Sequence, residues 1–223
     1  MRLTIEHTTR YRFHGPVAYG LQQLRKTPKS TYNQNVTRWE TRVEGGAKET
    51  AFEDHHRNTT ELISFDRDTT SLTVIRQGEV EISDTGGILG AQHGCAPLWL
   101  YEMTTPRTTA GQGVRALIKG MGDVQAVTAL HDLSQRIRDA VPYTLGGSEP
   151  EWTAEEALSA EKGVCQDHTH IFLACMRALG LPARYVSGYL MLNDTTTQDA
   201  MQAWAEAHVP GLGWVGFDVS NGI

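Results

Sequence analysis

The hydrophobic period of the chain changes after Pro106, and that change limits its possible folds more than any other feature. Before it, alternation has period two. Leu3, Ile5, His7, Thr9, Tyr11 and Phe13 take one side of the pattern, and Thr4, Glu6, Thr8, Arg10 and Arg12 the other. That is the period of a half-buried strand. Short runs of the same kind follow at 36–43, 60–65 and 71–83, with Gly45-Gly46 and Thr85-Gly86-Gly87 as punctuation. No helical period interrupts them. Strands at this spacing predict an antiparallel, sandwich-like β domain over residues 1–105.

Beyond Pro106 the period becomes helical. Val127, Leu130, Leu133, Ile137 and Val141 recur at the spacing of one helix face. Thr153 and Glu156 form a capping box ahead of the short helix AEEALSA. A third helix opens near Cys165 and stops at Gly180, with Pro182 just after. Strand-like runs at 183–192, 202–209 and 214–220 complete a second domain over residues 106–223. The predicted class is α+β.

Composition narrows the function. The net charge is −6, from 20 Lys+Arg against 26 Asp+Glu, and the basic residues form no cluster. Nucleic acid and an anionic membrane surface are therefore not expected partners. The N-terminus has no apolar leader, and no apolar run is long enough to cross a bilayer. Three unpatterned cysteines, Cys95, Cys165 and Cys175, suit a reducing compartment, so a cytoplasmic location is expected.

Cys165 falls in the first turn of the third helix, where unpaired N–H groups and the helix dipole favour a thiolate. Cys165, His168, Phe172, Cys175 and Leu179 share one helix face, so that face should pack inward. Position alone leaves Cys165 either a nucleophile or one more buried small side chain. Cys175, mid-helix, reads as structural.

The segments GVCQDHTHIFLACMRALGLPARYVSGYL and AWAEAHVPGLGWVGFDVSNG resemble the core of the transglutaminase-like superfamily, which includes papain-like cysteine proteases of bacteria. The N-terminal MRLTIEHTTRYRF resembles the β-rich region that precedes this core in bacterial members. The resemblance implies a papain-like core, with a cysteine-bearing helix packed on an antiparallel sheet. It also implies a Cys-His-Asp triad and chemistry that needs no metal or organic cofactor. In such a triad the thiolate attacks an acyl carbon, the imidazole moves the proton and the carboxylate orients the imidazole. Cys165 and Asp218 carry over directly. Relatives continue past the triad aspartate, so the ending at Asn221-Gly222-Ile223 reads as a shortened form.

At the position of the histidine, before Ala203-Trp204, this chain has Gln202. An antiparallel pair turning at Pro210-Gly211-Leu212-Gly213 can still bring Gln202 and Asp218 to one face. A glutamine amide donates hydrogen bonds but takes up no proton near neutral pH. Loss of a general base costs roughly 10²–10⁴ in rate. His208 is six residues along the same strand, about 20 Å away. His168 is one turn from Cys165 and is the local replacement to consider, whereas His170 points elsewhere on the helix. Trp204 and Tyr189 are candidate substrate-binding residues. Asp167, His168 and His170 beside Cys165, and Asp54-His55-His56, lack a second motif to complete a zinc site, so no metal is expected.

Two functions follow from the resemblance. One is a cysteine enzyme that transfers or hydrolyses acyl groups of peptide or glutamine amides through a thioester on Cys165. The other is a catalytically impaired relative that uses the cleft as a peptide- or protein-binding module. Gln202 separates them. The oligomeric state is open.

Overall fold

The alternating residues at the start of the chain build two antiparallel sheets. The computed structural model describes residues 1–191, 196–198 and 200–223. These form two units: Met1–Thr85 with Gly94–Ala96, and Gly86–His93 with Pro97–Ile223.

In the first unit the strands are β1 (Arg2–Val17), β2 (Leu21–Leu24), β3 (Gln34–Glu44), β4 (Gly46–Glu53), β5 (Thr59–Phe65) and β6 (Thr69–Ile82). One sheet has the order β1-β6-β3 and the other β2-β5-β4. Along β6 the residues Leu72, Val74, Arg76, Gly78 and Val80 are buried and alternate with partly exposed ones. Leu72 and Val74 of the first sheet meet Leu24 and Ile63 of the second, with Phe13, Val43 and Phe65 around them. The Phe13 and Phe65 rings stack 5.6 Å apart. This is the expected sandwich. Asp54 serves a turn there, accepting from the backbone of His56 at 2.9 Å and of Asn58 at 2.8 Å. Burial works against its charge, but donors from Asn58, Arg25 and His56 hold its pKa down at about 2.

The second unit holds β7 (Ile88–Gly90), α1 (Gln112–Ile118), α2 (Val127–Ala140), α3 (Ala154–Ala160), α4 (Cys165–Ala178), β8 (Ala183–Gly188), β9 (Gln202–Val209) and β10 (Gly213–Phe217). Its sheet has the order β7-β10-β9-β8 and is antiparallel throughout. The α+β class and the helix-on-sheet core are those the sequence predicts. Helix α4 packs against β9 and β8. Ala205 and Ala207 of β9 join Ile171, Phe172, Ala174 and Cys175 of α4 in one buried core. The Phe172 ring stacks on Phe217 of β10 at 5.2 Å. At the far end of α4, Leu181 N–H reaches the Met176 carbonyl at 2.9 Å and Gly180 N–H the Arg177 carbonyl at 3.1 Å. That pair of bonds is a Schellman ending, with Gly180 at φ +70°.

Three details differ from expectation. Strand β8 ends at Gly188 rather than running to 192, and Leu192 itself lies outside the described residues. Strand β10 ends at Phe217 because the chain turns back on Asp218, whose carbonyl accepts from Gly222 at 2.9 Å. Helix α1 was not legible in the sequence. Its N-terminus carries no cap of its own, and Glu155 of α3 supplies one. The Glu155 carboxylate accepts from the backbone N–H of Gly111 at 2.8 Å, Gly113 at 2.9 Å and Val114 at 2.9 Å.

Glu155→Ala should therefore lower stability by about 2 kcal/mol, the cost of leaving partly buried donors unmatched. Glu155→Gln, which keeps one acceptor oxygen, should lose less. Urea denaturation midpoints of the three forms provide the check, and an unchanged midpoint for the alanine form would show the cap to be idle.

Candidate active site

The site is built at the N-terminus of α4. Asp167 reaches back so that its Oδ2 accepts the Val164 N–H at 2.8 Å, satisfying a donor at the helix start. Gly163 makes this possible, since a Cβ there would stand 2.8 Å from the Asp167 Cβ. The lead-in is also held from outside, by Thr144 N–H on the Gly163 carbonyl at 2.8 Å. Cys165, the first helical residue, is thus pinned by its neighbours on both sides.

Cys165 as a whole is only 7% exposed, and its thiol donates to the Met201 carbonyl at 3.9 Å. Burial pushes the thiol pKa up; backbone N–H groups of Ala203 and Gln166 oppose this, and the Asp218 charge reinforces it. The helix start was expected to favour thiolate. Burial outweighs it, and the sulfur is a protonated thiol near neutral pH. Cys175 is more deeply buried, and its thiol is pushed up to about 12. Cys95, in the other unit, is exposed.

Gln202 opens β9 one residue after Met201, and Asp218 follows the end of β10. The structure brings the two together: Gln202 Nε2 donates to Asp218 Oδ2 at 2.9 Å and to Oδ1 at 3.1 Å. Asn221 completes the cradle, with its Nδ2 on Oδ2 at 2.8 Å and its backbone N–H on Oδ1 at 3.2 Å. No role at the site was expected for Asn221 from the sequence, although Asn221-Gly222 is a common turn signal.

Neither nearby histidine replaces a base at the sulfur. His168 is fully buried, with Nε2 at 2.7 Å from the Val141 carbonyl and Nδ1 at 2.8 Å from Ser220 Oγ. A carbonyl only accepts, so Nε2 carries the proton and Nδ1 accepts from the serine. Both nitrogens are committed. Burial also lowers the His168 pKa, with Val141 and the charges of Asp167 and Asp218 opposing. The His170 ring lies 5.3 Å from that of Tyr185, and the His208 ring packs edge-on to Trp214 at 5.5 Å.

Of the candidate substrate-binding residues, Trp204 is half-buried on β9, two residues past Gln202, and Tyr189 is half-buried just beyond β8. Two tyrosines missed in the sequence pack against the first turns of α4, Tyr143 with its ring 6.2 Å from that of His168 and Tyr185 with its ring 5.3 Å from that of His170. Burial raises the Tyr143 phenol, with added effects of Cys165 and Asp218. Tyr185 is pushed up to about 12, by burial first and then by Cys165 and Asp167. Both phenols stay protonated and can donate hydrogen bonds.

A cysteine at a helix start, facing an antiparallel sheet whose strands carry the partner side chains, defines a papain-like core. The Transglutaminase-like superfamily core matches residues 115–219, and the Bacterial transglutaminase-like N-terminal region matches residues 3–81. The chain belongs to the transglutaminase-like superfamily. An uncharacterized protein of Mycobacterium tuberculosis is 25% identical over 99% of this chain and 79% of its own length. One from Mycobacterium leprae is 27% identical over 100% of this chain and 84% of its own. A crystal structure from Cytophaga hutchinsonii, described as a candidate cysteine protease, shares the fold with a TM-score of 0.78 and 19% identity, covering 100% of this chain and 78% of that one.

The His168 bonds generate a stability prediction. Its folded pKa lies below the ordinary 6.5, so the unfolded chain takes the proton first as pH falls through that value. Stability is full above about 6.5 and is lost below it, by up to about 1.4 kcal/mol per pH unit for this one group. His168→Phe should be about 2 kcal/mol less stable at pH 7.5, with the Val141 and Ser220 partners unmatched. Its stability should also fall less steeply between pH 6.5 and 5 than the parent's. Denaturation at a series of pH values measures both, and parallel slopes would mean that His168 titrates as in the unfolded chain.

Proposed function

We propose that this is a transglutaminase-like cysteine enzyme weakened at its base position. It forms a thioester between Cys165 Sγ and the acyl group of a glutamine side chain or peptide-like amide. In that step the S–C bond forms, the amide C–N bond breaks, and the thiol proton leaves with the departing amine. Water or a second amine then takes the acyl group and restores the thiol. The observation that carries the reading is the bond pair from Gln202 Nε2 to both Asp218 oxygens at the opening of β9, beside Cys165. Asp218 stands ready to orient a ring at position 202. The amide now there can position but not move a proton, so acylation is slow.

A second reading, a binding module that keeps the cleft without turnover, is favoured by one observation: burial raises the Cys165 thiol pKa. Either way we propose a peptide or protein as the partner rather than nucleic acid or membrane. We also propose a cytoplasmic location, which the three free cysteines support. Among the described residues, no helix is long and apolar enough to cross a membrane.

Alkylation rate against pH distinguishes the readings. The exposed Cys95 is first changed to Ser, and Cys165→Ala identifies the signal. The parent should react only as pH rises through its elevated thiol pKa. Gln202→His should add reactivity near neutral pH, because an imidazolium stabilises the thiolate. Acylation by a glutamine-amide ester analogue should rise by roughly 10²–10⁴. Identical pH profiles for both forms would remove Gln202 from the base position and leave the binding module.

A further inference from the structure

Helix α4 carries more than the cysteine. Past Cys165 it presents His170, Leu173 and Arg177 to a pocket closed by Thr105, Arg107, Thr108 and Tyr185. Its volume is about 210 Å³, below the roughly 300–1,000 Å³ of pockets for drug-sized ligands, so it suits a single side chain. The pocket stays near the site: His170 is five residues past Cys165 on α4, about 7.5 Å along the helix, and its ring packs on Tyr185 at 5.3 Å.

Two arginines, Arg107 and Arg177, are among the residues lining a pocket whose surface is otherwise mostly apolar. Arg177 is half-buried and donates to three neutral oxygens: Tyr101 O at 3.3 Å, Thr108 Oγ1 at 2.6 Å and Ala183 O at 3.3 Å. Among the described residues no carboxylate lies within ion-pairing distance of it. Arg107 donates to the Pro150 and Trp152 carbonyls at 2.8 and 3.3 Å, and pairs with Glu151, whose side chain is 90% exposed. An exposed partner neutralises little. Asp167, whose charge reaches both His170 and Tyr185, is committed to the Val164 N–H. Arginine's planar fork is suited to carboxylates, and the Tyr185 hydroxyl adds a neutral donor at the wall.

We propose that this pocket binds the carboxylate of an Asp or Glu side chain on the acyl donor, so that the protein selects peptides with an acidic residue near the reactive glutamine. The inference rests on the reading that the Cys165 cleft takes a peptide. It runs against the net charge of −6, which by itself repels anionic peptides. A preference for acid must therefore come from the local cations.

The test measures binding rather than turnover. The Cys165→Ala protein is titrated into labelled short peptides with one central Gln and a Glu placed in turn at each flanking position, each with a Ser control. Fluorescence anisotropy at low ionic strength is the readout. In at least one register the Glu peptide should bind about tenfold tighter than its control, as one charge-assisted contact allows. Arg107→Gln should abolish that ratio. Glu151→Gln removes the counter-charge from an exposed side chain that leaves the fold untouched, and should increase it. Ratios near one in every register overturn the proposal alone. A ratio that neither variant changes also overturns it. Failure of every peptide to bind, Glu and Ser alike, overturns it together with the peptide reading of the cleft.

Discussion

The site depends on how closely α4 can approach β9. On the helix-facing side of that strand stand Ala203, Ala205 and Ala207, all buried. Larger side chains there would lift the helix away from the sheet. With alanines the Cys165 sulfur comes to rest on the backbone of the strand itself, between the Met201 carbonyl and the Ala203 N–H. The same proximity excludes water from the thiol, so the contact that positions the sulfur also makes it harder to ionise. In a complete triad an imidazolium would offset that cost. Here Gln202 leaves it standing.

Much of this was legible in the sequence, and the parts that were not share one cause. Helices α2, α3 and α4 announce themselves through local signals: the spacing of Leu130, Leu133 and Ile137, the Thr153–Glu156 box, and the ending at Gly180. The pairing of Gln202 with Asp218 was expected because the family resemblance marked both positions and the turn at 210–213 allows them to share one face. Helix α1 and strand β7 were hidden because their stabilising partners are remote in sequence. Glu155 caps the one, and β10 pairs with the other. The turn-back at Asp218 and the lock on His168 were equally invisible, since each rests on contacts that no periodicity encodes.

Electrostatically the region divides into two parts. Around Cys165 the donors are neutral amides on two buried carboxylates, Gln202 and Asn221 on Asp218 and the Val164 N–H on Asp167. Further along α4 the balance reverses, with Arg107 and Arg177 on the pocket wall. One helix therefore spans from an acid-centred end to a base-lined one. The two ends of the helix therefore offer different chemistry to whatever lies against them.

The borrowed cap of α1 has a consequence for how this unit assembles. A seven-residue helix is too short to persist alone, and its unpaired N–H groups find their acceptor more than forty residues away on α3. The cap therefore exists only while α3 is docked, and its formation carries the closure cost of that long loop. Helix α1 is in this sense a dependant of α3: whatever loosens α3 also removes the acceptor that satisfies the first N–H groups of α1.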